Sequence, residues 1–175
     1  MNRLILPAAW IAITATCHSA DLTALPEYRR PDPFGAVVSA DRAAHISPSH
    51  SIALETARAA YVSFHLAVSL PNAGDYRLEI NPFPTGSGLH VELYREWLHY
   101  LPSTKNYYPD ALIPISPSYH SRLPEPDNRI PKQTTQAFWL DIWTAANAKP
   151  GEYETTAHLH ADGKTIQLPI QLKVL

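Results

Sequence analysis

Two histidines, His158 and His160, stand two residues apart in a run where Tyr153, Thr155, Ala157 and Leu159 alternate with Glu152, Glu154, Thr156 and the two imidazoles. On an extended strand that spacing puts both rings on one face, about 6.5–7 Å apart along it. That is close enough to share one metal ion. Two ligands hold a metal weakly, so a site needs a third, for which His65, His99 or His18 are candidates. A chain beginning at His18 would offer an amine and an imidazole nitrogen together, a pair suited to copper. The plainer reading is a polar strand face with no cofactor.

A second chemistry lies in the aromatic residues Trp97, Tyr100, Tyr107, Tyr108, Tyr119, Trp139 and Trp143. Flat rings stack against the C–H faces of sugars while neighbouring polar groups bond the hydroxyls. Tyr100, Tyr107, Tyr108 and Tyr119 sit in or beside a long Pro-rich stretch between Pro102 and Pro131, and Trp97 leads into it. These five are the candidate glycan contacts, because connections stay at the surface more often than strand interiors do. Glycoside cleavage would need two carboxylates held about 5–10 Å apart across a cleft. Glu92 with Glu96, and Glu152 with Glu154, read instead as solvated acids on strand faces, and no G-x-S-x-G element supports a serine nucleophile.

The elements that must position these residues are strands. Tyr61 to Ser69 alternates Val62, Phe64, Leu66 and Val68 with Ser63 and His65, and Tyr76, Leu78 and Ile80 alternate with Arg77 and Glu79. His90 to Leu101 gives a third run. Gln136 to Trp143 gives another, with Phe138, Leu140 and Ile142 facing opposite to Trp139, Asp141 and Trp143; both faces are apolar enough for a central strand. Asp162-Gly163 supplies a tight turn between the two arms of a C-terminal hairpin. No long amphipathic helix and no internal repeat is evident. Short strands separated by Pro and Gly turns predict an all-β, antiparallel sandwich of the immunoglobulin-like or jelly-roll-like kind over residues 51–175. Residues 21–50, with Pro26, Pro31, Pro33 and Pro48, read as an extended lead-in packed on that domain.

Length and composition bound the function. A chain of 175 residues with 45% hydrophobic and 17% charged residues fits one domain with a real core. A formal net charge of −2 gives no electrostatic footprint for nucleic acid. The single cysteine excludes a disulfide scaffold and any multi-cysteine metal site. Residues 1–20 read as a secretory signal peptide, with Arg3 ahead of an apolar run from Leu4 to Ile13 that is too short to span a bilayer. The expected location is periplasmic or secreted. Cleavage after Ala20, cleavage after Cys17, and lipidation of Cys17 all remain open.

The order of several segments resembles a known family. Leu54-Glu-Thr-Ala-Arg58, Tyr61-Val-Ser-Phe64, Val91-Glu-Leu-Tyr-Arg-Glu-Trp97, Tyr108-Pro-Asp110, Leu112-Ile-Pro114, Gln136-Ala-Phe-Trp-Leu-Asp141 and Ala148-Lys-Pro-Gly-Glu-Tyr153 follow one another. In that order they resemble the N-terminal β-sandwich of bacterial proteins of the glycoside hydrolase family 123 type, over about residues 50–175. The resemblance implies an accessory, non-catalytic module that binds glycan or packs beside a catalytic barrel. The barrel carries the catalytic acids in that family, and Leu175 falls where it would begin, so no catalytic residue is carried over. His158 and His160 depart from the family's more ordinary polar or β-branched residues.

Overall fold

Strand formation follows the alternation. Phe64, Leu66 and Val68 are fully buried on one side of the third strand, and Phe138, Leu140 and Ile142 match them on the eighth. The computed structural model describes residues 19–41 and 47–175. In chain order these form β1 (Asp21–Pro26), a short 3-10 turn (Ser39–Asp41), β2 (Ile52–Thr56), β3 (Ala60–Ser69), β4 (Gly74–Ile80), β5 (Leu89–Leu101), β6 (Asn106–Ile115), β7 (Ser118–Leu123), β8 (Thr135–Thr144), β9 (Gly151–Ala161) and β10 (Lys164–Val174). They make two five-stranded sheets, ordered β1-β3-β8-β5-β6 and β2-β10-β9-β4-β7. The molecule is a β-sandwich. Its pairings are antiparallel except for β2 beside β10, which run parallel.

The core lies between the sheets. Phe64, Phe138, Leu140 and Ile142 from the first meet Leu78, Leu159, Leu168 and Ile170 from the second. Strand β8, apolar on both faces, occupies the centre of its sheet as its sequence predicts. The C-terminal hairpin turns at Asp162 and Gly163, whose φ values of 51° and 70° are the left-handed pair that a two-residue hairpin turn requires.

Two stretches differ from their sequence reading. The Pro-rich segment is not one long connection but two strands, β6 and β7, each at the edge of a different sheet. Edges tolerate proline because one side of the strand has no ladder to complete, and the register of β6 against β5 shifts between Trp97 and Leu98, opposite Ala111 and Pro109. Residues of the lead-in form the edge strand β1 of the first sheet.

After β1 the chain forms a strap across the outer face of that sheet. The carbonyl of Pro33 accepts the Thr134 and Thr135 amides, both at 3.0 Å. The Asn106 amide donates to Ser39 at 3.0 Å. Within the strap, Arg30 grips Asp41 through two side-chain bonds of 2.8 Å, which hold the Asp41 carboxyl below its usual range. Gly35 sits at φ 85°, where a Cβ would stand 3.2 Å from Thr135 Oγ1.

Candidate functional site

Strands β3, β8 and β5 lie side by side in register, and their outward residues line up in rows. Tyr61, Trp143 and His90 form one row, Ser63, Asp141 and Glu92 the next, and His65, Trp139 and Tyr94 the third. The interleaved Phe64, Leu93, Phe138, Leu140 and Ile142 take the inner face, which turns these rows outward. Solvent reaches the first two rows: Tyr61 is 55% exposed, His90 and Glu92 are exposed, and Ser63, Asp141 and Trp143 are half-buried. The rings of Tyr61 and Trp143 stand 4.8 Å apart at a tilt of 43°.

The middle row carries the polar chemistry. Glu92 and Asp141 are directly opposed on neighbouring strands, an arrangement that is unfavourable for two like charges. Three donors offset it. Ser63 Oγ and Trp139 Nε1 both donate to Asp141 Oδ1, the latter at 2.6 Å, and Tyr94 donates its hydroxyl to Glu92 Oε2 at 2.8 Å. The bond to Glu92, together with partial burial, raises the Tyr94 phenol to about 12. Neither carboxylate forms an ion pair with a cation among the described residues.

In the third row the strap covers His65. His65 and Glu96 are 2% and 1% exposed although both lie on the outer side of the sheet. His65 Nδ1 meets Glu96 Oε1 at 2.6 Å, and Nε2 meets the carbonyl of Glu27, at the start of the strap, at 2.8 Å. Burial pulls the His65 pKa down, but the hydrogen bond and charge of Glu96 outweigh it and leave it above the ordinary value. Trp139 closes the group, its ring edge-on to His65 at 5.0 Å.

The aromatic residues singled out in the sequence fall into several places. Tyr100 and Tyr107 come together across the β5–β6 pair, ring centroids 5.1 Å apart, with Phe34 of the strap edge-on to Tyr107 at 6.0 Å. Tyr100 and Phe34 are each 50% exposed. Tyr108 lies against Arg30 of the strap, and Trp97 against Arg95, whose own charge is held by Glu125 and Asp127. Tyr119 is on β7 in the other sheet and packs edge-on against core Phe138 at 5.8 Å.

His158 and His160 do share a face of β9, with near-parallel rings 6.3 Å apart. His160 is bonded at both nitrogens, to Thr165 Oγ1 and Glu79 Oε2, each at 2.9 Å, and His158 Nε2 meets the Asn81 amide at 3.1 Å. Among the described residues no group of three or more His, Cys, Asp or Glu side chains is placed to hold a metal ion. His18 lies outside the described residues. The sequence reading did not bring Tyr61, Tyr94 and Asp141 together with Glu92, which it took for a solvated acid. Their signal was the outward half of the alternation in β3, β5 and β8. Glu96, read as a solvated acid, is instead buried by the strap.

No protein-family model matches the chain, and no curated protein matches it in sequence. Among solved structures, the fold resembles part of a family 123 glycoside hydrolase from Clostridium perfringens, described in connection with glycolipid glycan hydrolysis. The two superpose with a TM-score of 0.62 over 90% of this chain, at 15% identity. This chain spans 27% of that protein's length. A non-cellulosomal cohesin from the archaeon Archaeoglobus fulgidus matches over 70% of this chain and 86% of its own, with 11% identity and a TM-score of 0.39, a likeness too slight to bear on function. The fold-level resemblance to the family 123 structure agrees with the segment order in the sequence. Among the described residues no helix is long and apolar enough to cross a membrane.

Proposed function

We propose that this chain is a non-catalytic β-sandwich module that holds glycan on the outer face of its first sheet. The observation that carries this reading is the pair of Tyr61 and Trp143 rings, reached by solvent and set beside the acceptors of Asp141 and Glu92. A sugar offers a C–H face to stack on such rings and hydroxyls to donate to such carboxylates. Glu92 and Asp141 stand side by side on one sheet face rather than across a cleft, so the pair suits binding and not in-line cleavage of a glycosidic bond. Phe34 of the strap with Tyr100 and Tyr107 forms a second aromatic group, half-open to solvent, that would lengthen the contact. Retention in gels containing soluble polysaccharides tests the reading. Trp143→Ala and Tyr61→Ala abolish retention in proteins whose circular dichroism is unchanged, and Tyr100→Ala with Tyr107→Ala weakens it. Absence of retention on every polysaccharide tried would discard the proposal.

A second reading is favoured by the likeness to a portion of the family 123 hydrolase. In it the module packs beside a separate glycoside hydrolase domain and presents substrate to it. Co-purification of such a domain with the tagged module supports this arrangement. Export belongs to the same proposal, since glycans of this kind are met outside the cytoplasm. Mass measurement of the mature protein reads the cut after Cys17 or Ala20, and an uncut product retained in the cytoplasm rejects it.

A further inference from the structure

Building on the glycan reading of the outer face, we infer that this face selects sugars that carry a free, protonated amine. Glu92 and Asp141 are directly opposed across β5 and β8, and no cation pairs with either among the described residues. The three groups that bond them, Ser63, Trp139 and Tyr94, are neutral donors. They satisfy single oxygens without cancelling either charge. A bound ammonium group would remove the like-charge repulsion that the register imposes.

The surroundings suit an ammonium attached to an apolar body. Asp141 lies between Trp139 and Trp143 on the same strand face, with about 6.5–7 Å between successive outward positions. Tyr61 stands against Trp143, and Tyr94 is opposite Trp139 in the register. An ammonium over an aromatic face is attracted by the ring quadrupole, while the sugar ring that bears it stacks on the same residues. A neutral sugar uses only the stacking and the hydroxyl bonds. N-acetylation of the amine removes both the charge complementarity and the attraction to the rings.

The test uses the intrinsic tryptophan fluorescence of the whole protein, to which Trp139 and Trp143 contribute, titrated with a glucosamine hexamer and, separately, with its fully N-acetylated counterpart. The pH is kept below the titration range of the sugar amine. The free-amine hexamer should bind more tightly by roughly fivefold, the scale of one exposed cation–π contact joined to a screened charge pair. Glu92→Gln should collapse that ratio towards one, whereas Glu152→Gln, which removes the same charge from an exposed site on the other sheet, should leave it unchanged. Asp141→Asn serves as a second variant, with Glu92→Gln the safer one because its side chain is exposed. Equal affinity for the two hexamers overturns the inference while polysaccharide retention keeps the glycan reading intact. An equal fall in the ratio with Glu152→Gln overturns it too, by assigning the preference to net charge. Binding of neither hexamer overturns it as well, and loss of all polysaccharide retention then removes the parent reading.

Discussion

Both ring nitrogens of His65 face acceptors, the Glu96 carboxylate and the Glu27 carbonyl. With a proton on each nitrogen the ring donates to both. Removing one member of such a buried pair strands the other, so His65→Ala should lower stability to denaturant by about 3 kcal/mol. Replacing both by Leu should cost less than either single truncation. The pH dependence follows from the direction of the His65 shift. Its folded pKa lies above the ordinary value, so its stabilisation is fully present below the unfolded pKa near 6.5 and is lost as pH rises through the folded one. Thermal unfolding of wild type and His65→Gln from about pH 6 to about pH 9 should show the wild-type advantage shrinking with pH. An advantage that widens would contradict the pairing. None of this was legible in the chain, because His65 and Glu96 are separated by 31 residues and each looks like an ordinary polar position on a half-exposed strand.

The strap is the element whose placement matters most, because it divides the outer face into a covered part over His65 and Glu96 and an open part at Tyr61 and Trp143. Its path depends on Gly35, which adopts a left-handed φ and leaves room for Thr135. Gly35→Ala should therefore weaken the strap by about 1 kcal/mol. Hydrogen exchange should read this as faster exchange of the Thr134 and Thr135 amides bonded to Pro33, with the β8–β9 core unaffected. Unchanged exchange at those two amides would show that the strap does not need the glycine. Strand existence was legible at this scale wherever apolar residues alternate, as in β3, β4, β8, β9 and β10. Proline-bearing strands were not. Pro109 and Pro114 hid β6 because the sequence does not say which strand will lie at an edge, where a missing amide costs no ladder bond. Pro169 shows the same logic inside β10: the parallel partner β2 begins pairing only at Ile170, one residue further on.

For the molecule as a whole, stability rests on the layer where the two sheets meet. Phe138, at the centre of its sheet, touches Tyr76 and Tyr119 of the opposite sheet edge-on at 6.3 and 5.8 Å. Phe138→Ala should destabilise the protein by about 3–5 kcal/mol in equilibrium denaturation, with one cooperative transition because a single core serves both sheets. The same contact leaves Tyr119 half-buried, packed against the core from the edge strand of the second sheet. The sequence by itself determined the all-β class, the two-layer sandwich, the hairpin turn at Asp162-Gly163 and the central place of β8, since these follow from period-two alternation and local turn chemistry. Only the tertiary structure decided which side of each strand meets solvent, because alternation assigns two faces without naming what covers them. The crossing of the strap, the pairing of distant strands and the edge positions of β6 and β7 supply that cover. They bury Glu96, pack Tyr119 against the core, and leave Tyr61, Trp143, Asp141 and Glu92 together on an open face.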